Sequence, residues 1–318
     1  MLHDTRSGVR QIDAIRLEKV RDLLVQESSQ PGRPAHVSAA SGLVCDQERL
    51  YVVADDELHL GVFPLSGDSK GALVRILPGE LAMTAADRKR GKPDFESLVL
   101  LPATRTRPQG GLLALGSGSA ASRHRGVIIP FDERRTLELP ALTVVDLTQL
   151  FDSTREAVGE INIEGTVVTR DAVLLLQRGN KGDGISAIVR FDLAEFFAHL
   201  DGALDLIRPT SLRSYELGSI RDVPLGFSDA CALADGSIVF SAIAEDTNDA
   251  YADGPCTGAA IGILDRDGDV RRLFEISGGA KIEGIHAESR GADIDILCVS
   301  DADDARIPAA LYRGVLHI

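Results

Sequence analysis

The chain has 318 residues, is 44 % hydrophobic and carries a formal net charge of -14. This surplus of acid repels phosphate backbones and anionic lipid, so nucleic acid and membrane are poor partners, while divalent cations are good ones. Aromatic residues make up 4 % and Trp is absent, which counts against the stacking platforms that hold sugars and single strands.

In chain order, Met1-Leu2-His3-Asp4-Thr5-Arg6 lacks an apolar signal region, and no run approaches 18 apolar residues. A cytoplasmic location is expected. Residues 11–17 and 20–25 read as strands, as do the apolar runs 50–53, 111–115, 172–176, 237–240 and 294–299. Asp235-Gly236 and Asp267-Gly268 fall between such runs and predict antiparallel hairpins. Helical patterns cover only 78–90, 147–158 and 193–204. These are excursions between strand groups, whereas an α/β sheet needs a helix after nearly every strand. Cys45, Cys231 and Cys298 lie inside apolar runs and Cys256 in a polar stretch, with no CxxC pair, so free thiols are expected.

An internal repeat organises these runs. Ser41-Gly42, Glu96, Glu164, Asp229 and Glu283 each sit in an apolar frame, followed by a turn and a second apolar strand that ends in polar residues. The period is about 53 to 68 residues. Repeated four-stranded units without a helical layer predict an all-β propeller of one domain, with five blades and six as the alternative. Residues 11–17 and 20–25 are then expected as outer strands of the last blade, joining the chain ends and removing a free edge.

The first strand of each blade lines the channel, so the repeated position faces one shared space. Glu96, Glu164, Asp229 and Glu283 are therefore the candidate metal ligands. Two unit charges 4 Å apart repel by about 4 kcal/mol at an effective dielectric of 20, so four carboxylates need shared protons or a cation. Oxygen-only donors favour Ca²⁺, then Mg²⁺, over zinc. The polar ends of the second strands, among them Asp55, Glu245 and Asp301, are expected at the same mouth. The 244–258 loop, with Asn248, Asp249 and Asp253, has a calcium-loop composition without its spacing. Arg125, Arg178 and Lys181 are candidate binders of a small anionic substrate. Glu164, Glu283 and His124 are the candidate catalytic groups. Ser228 lies in a near-match to a nucleophile elbow, but on a repeat strand and with Ala230 replacing the last Gly, so it is not expected to attack. His286, three residues after Glu283, is expected to face away from it.

Lys92-Pro93-Asp94-Phe95-Glu96, Asn162-Ile163-Glu164-Gly165, Gln177-Arg178-Gly179-Asn180, Gly226-Phe227-Ser228-Asp229 and Lys281-Ile282-Glu283-Gly284 resemble an uncharacterised bacterial β-propeller family, from about residue 36 onward. The repeated (Ile/Phe)-Glu-(Gly/Ser) element is also similar to that of esterase-like phytase propellers. That resemblance implies phosphoester hydrolysis with calcium, although Ser41-Gly42 departs from the acidic pattern. Three readings follow: a metal-dependent hydrolase of a phosphoester or other anionic ester, a non-catalytic binding propeller with a structural ion, and a lactonase-like calcium-dependent ester hydrolase.

Overall fold

The computed structural model describes residues 7–8, 12–179, 185–246 and 256–318. It contains five antiparallel blades. Their inner strands are Ala40–Asp46, Phe95–Leu101, Ile163–Val168, Val223–Ala232 and Ile282–Arg290. Each inner strand touches the next around the ring, and the last touches the first.

Each of the five blade-to-blade interfaces holds its own apolar core. In Ala172–Gln177 of blade three, Val173 and Leu175 face blade two, whereas Leu174 and Leu176 face blade four. A strand buried on both sides reads as a continuous apolar run, which explains why the sequence shows runs instead of alternation. Asp235-Gly236 and Asp267-Gly268 close hairpins as expected, with glycine φ of 91° and 80°. The helices are α1 (Ala85–Gly91), α2 (Thr148–Val158) and α3 (Leu193–Leu200). The first is shorter than the 78–90 pattern because Thr84 ends the extended backbone and caps the helix, accepting the Asp87 N–H.

The N-terminal strands differ from expectation. Glu18–Asp22 completes blade five by pairing with Ala310–His317. Ile12–Arg16 instead adds in parallel to Val270–Ser277 of blade four. Only Leu17 separates the two strands, too short a link for a hairpin, so the chain runs on to the neighbouring blade. Ser7–Gly8 extends blade three, and Val25 bridges Gly71 beside blade one. One segment thus covers the outer edges of consecutive blades.

All five inner strands carry a β-bulge at the same level. The extra residues are Ser41, Glu96, Glu164, Ser228 and Glu283. A bulge turns a side chain out of register and bends the strand, and here it does so identically in every blade. After the bulge the strands approach so closely that a Cβ on Gly165 would lie 3.0 Å from the Asp229 Cα, and one on Gly284 would lie 3.1 Å from the Gly42 carbonyl carbon. Gly165→Ala is therefore expected to cost about 1–3 kcal/mol by overpacking against backbone, read as a lower unfolding midpoint. An unchanged midpoint would show that the ring can widen at this level.

Candidate functional site

The bulge residues, the residues two before them and the ends of the second strands meet at one mouth of the channel. Eight carboxylates gather there: Asp55, Asp94, Glu96, Glu164, Glu245, Glu283, Asp301 and Asp303. Four cations lie among them: Lys92, Arg123, Arg178 and Lys281. The mouth divides into two halves.

In the half formed by blades three, four and five, every carboxylate lies within 4.0 Å of a protein cation. The Arg178 guanidinium lies 3.0 Å from Glu164, 3.0 Å from Glu283 and 3.6 Å from Glu245, and its Nε donates to the Phe227 carbonyl at 3.0 Å. Burial opposes the Arg178 charge, but the three glutamates outweigh it and push the pKa up. Lys281 sits 3.1 Å from Glu283, 3.4 Å from Glu245 and 2.8 Å from Asp303, and its pKa is raised in the same way. Burial holds the Glu164 carboxyl well above the usual range despite Arg178. Asn162 donates to Glu164 at 2.6 Å.

The half formed by blades one and two is built differently. Asp55, Asp94 and Glu96 each place a carboxylate oxygen within 4.8 Å of the others. The Lys92 ammonium contacts Asp55 and lies 2.8 Å from Asp94, while Arg123 holds the other Asp94 oxygen at 2.7 Å. Asp94 adopts φ 57°, a left-handed backbone that costs free energy and recurs at functional sites. Among the described residues Glu96 has no ammonium or guanidinium in contact. Burial, then the charges of Asp94, Glu164 and Asp55, hold its carboxyl well above the usual range. Burial also raises Asp55, to about 6.

Several expected site residues are placed elsewhere. Asp229 is not the counterpart of Glu96, Glu164 and Glu283, because Ser228 occupies the bulge of blade four. The Asp229 carboxylate accepts the Ile285 N–H at 2.9 Å and also bonds the Leu43 N–H, joining blade four to blades five and one. Ser228 donates to the Ile282 carbonyl at 2.9 Å, as Ser41 does to that of Phe95, so both serines tie one blade to the next. His124 is packed on Phe151 with ring centroids 5.4 Å apart, and its Nε2 lies 3.2 Å from the Gly118 carbonyl oxygen, away from the carboxylates. Arg125 is exposed at the start of the third strand of blade two, outside the channel. Arg178 reaches the centre, but its charge is committed to acids rather than left open for an anion. Lys181, Asn248, Asp249 and Asp253 lie outside the described residues. His286 faces the opposite mouth, a cavity of about 570 Å³, and its Nδ1 accepts the Cys45 N–H at 3.3 Å. All four cysteines are free.

Lys92 and Lys281, which stand just before Glu96 and Glu283 in the sequence, pair with the acids of the mouth, and Asp94 joins Glu96 there although the repeat does not single it out. Asp94 could have been found by stepping back two residues from the repeated acid, since alternate residues share a face. Asp94 and Lys281 stand two residues before Glu96 and Glu283.

Arg178→Gln is expected to destabilise the protein by about 3–5 kcal/mol, because it leaves buried carboxylates unpaired. The loss in chemical denaturation should be larger at alkaline than at acid pH, because the Glu164 carboxyl, held above its usual range by burial, takes up a proton as the pH falls. A pH-independent loss would show that packing, not charge, was removed. Asp55 gives a second pH effect. Its folded pKa of about 6 stands above its ordinary 3.8, so the folded protein keeps a proton that the unfolded chain releases, and stability falls as pH rises from about 4 to about 6. Thermal melts of Asp55→Asn should lack this fall; a variant with the wild-type pH profile would place the titration on another group.

A model of a family of unknown function, DUF6929, matches residues 36–316. No curated protein matches the chain. Among solved structures, Myxococcus xanthus glutaminyl cyclase is 12% identical with a TM-score of 0.45, over 96% of this chain and 100% of that one. The gluconolactonase XC5397 of Xanthomonas campestris is 11% identical with a TM-score of 0.41, over 87% and 72%. Bacillus subtilis arabinanase Arb43A is 12% identical with a TM-score of 0.41, over 88% and 94%. These are distant likenesses of fold and assign no activity. With the family model spanning most of its length, the chain belongs to the family of unknown function DUF6929.

Proposed function

We propose that the mouth of the channel is a divalent-cation site and that the protein is a metal-dependent hydrolase of an anionic ester, a phosphoester foremost. The observation that carries this reading is the meeting of Asp55, Asp94 and Glu96 within 4.8 Å, with no cation in ion-pair contact with Glu96 among the described residues. The donor set fits the ion. Oxygens on opposite sides of one Ca²⁺ stand roughly 5 Å apart, and all three donors are hard carboxylates. With Lys92 and Arg123 beside them, three ionised carboxylates still leave one negative charge in excess, which favours a cation.

A bound dication supplies Lewis acidity toward an ester oxygen and acidifies water. Asp55, Asp94 and Glu96 would hold it. Glu96, whose carboxyl burial holds above the usual range, would give up its proton as the cation binds. Glu164 and Glu283, fixed by Arg178 and Lys281, would shape the far wall.

The competing reading is a binding propeller without catalysis. It is favoured by the ion pairing of Glu164, Glu245 and Glu283 with Arg178 and Lys281, which makes that half of the mouth an interblade staple.

Titration with Ca²⁺ and Mg²⁺ should raise the unfolding midpoint and release protons at pH 6, seen as a buffer-dependent binding heat. Glu96→Gln should abolish both effects and lower turnover of aryl phosphates at least about a hundredfold. No cation-dependent shift in the wild type would overturn the metal site. A shift without turnover on phosphate or carboxylate esters would favour the binding reading.

A further inference from the structure

Next to the cation cluster lies a cavity of about 270 Å³, walled by α1, the segment before blade one and the loop after the second strand of blade five. Lys92, which contacts Asp55 and Asp94, forms one side of it. Cations and acids both line this cavity, but they are not equally free. Asp56 lies 2.8 Å from Arg33, Asp303 2.8 Å from Lys281, Asp304 2.6 Å from Arg306, and Asp301 4.0 Å from Lys281. Each acid on the wall therefore already faces a cation.

Arg88 is the opposite case. It is 6% exposed, yet among the described residues no carboxylate is in ion-pair contact with its guanidinium. Its Nε donates to the Ala82 carbonyl at 3.1 Å and its Nη1 to the Asp56 carbonyl at 2.6 Å. Its Nη2 is buried with no partner. Across the same cavity Ser38 is 3% exposed, and its hydroxyl is likewise buried without a partner. Asp55, Asp56 and Glu57 act on this charge only from beyond ion-pair distance, and burying a guanidinium with a free donor and no carboxylate in contact is costly, a cost that a bound oxyanion removes.

We propose that this cavity binds the anionic head of a small ligand, a phosphate or a carboxylate, through the Arg88 guanidinium and the Ser38 hydroxyl. Two backbone carbonyls hold the guanidinium in place, so its unpartnered Nη2 is preorganised and little side-chain entropy is lost on binding. The cavity volume suits a head group with a few further atoms, not a polymer. Its contact with Lys92 puts the bound anion beside the Asp55–Asp94–Glu96 cluster. Assigning this anion as part of the ester substrate rests on the proposed hydrolase; the anion site itself does not.

The test is calorimetric titration of the full-length protein with inorganic phosphate and, separately, with malonate, in EDTA. Saturable binding is expected, and the tighter of the two ions identifies the head group. Arg88→Gln should weaken it between about ten- and a hundredfold. Arg90→Gln, on the exposed side of α1, should leave it unchanged. If Arg88→Gln does not fold, Ser38→Ala, which removes only the buried hydroxyl, should still weaken binding severalfold. No saturable binding of either ion, or equal affinity in the wild type and the variants, overturns the proposal. Binding that persists in EDTA while Ca²⁺ fails to bind keeps the anion site and removes the metal reading.

Discussion

The arrangement of the channel mouth depends on one guanidinium. Arg178 comes from the end of the second strand of blade three and touches glutamates from blades three, four and five, together with a backbone carbonyl of blade four. Each of those carboxylates alone would be expensive to bury. Gathered on one planar cation, they hold three blades in register, and Lys281 completes the set from below blade five. Neighbouring blades are separate sheets with no strand pairing between their inner strands, so alignment rests on contacts of this kind and on the apolar cores between neighbours.

The ion-paired half makes the other half unusual. Blades one and two bring Asp55, Asp94 and Glu96 together with a single shared lysine and an arginine on one of the three. Every acid on one side of the mouth therefore has a cation in ion-pair contact, whereas Glu96 on the other side has none among the described residues. This asymmetry supports the proposed cation site more strongly than the total of acids does, because most of those acids are already paired. It also changes the roles of the residues singled out in the sequence. Arg178 is a counter-ion, and Asp229 receives backbone N–H groups across the axis. His124 is part of the packing beneath the Gly118 loop.

The bulges link fold to site. A regular inner strand would send successive side chains to alternate blade interfaces, where apolar residues are needed. The extra residue at Ser41, Glu96, Glu164, Ser228 and Glu283 frees one polar side chain per blade from that demand. In blades one and four that side chain is a serine that bonds to the next blade. In the other three it is a glutamate. The close approach at Gly42, Gly165 and Gly284 follows directly after the bulge and keeps the channel narrow there.

Strand lengths, the two Asp-Gly hairpins, the scarcity of helix and the fivefold repeat with Glu96, Glu164 and Glu283 at its inner position were all legible in the sequence. Each is a local pattern, set by turn chemistry, β-propensity and burial of a few consecutive residues. Tertiary structure decided the rest. Whether Ser228 or Asp229 occupies the bulge depends on pairing with Ser241 and Ala242, since adjacent residues look equally suited in the sequence. The N-terminal strands divided between blades four and five because their outer edges lie side by side in space. Above all, Arg178 meets Glu283 although 105 positions separate them, and Asp55 meets Glu96 from another blade. Coulomb energy falls with distance through space and not along the chain, so only the closed ring determined which carboxylates are paired and which remain open to a cation.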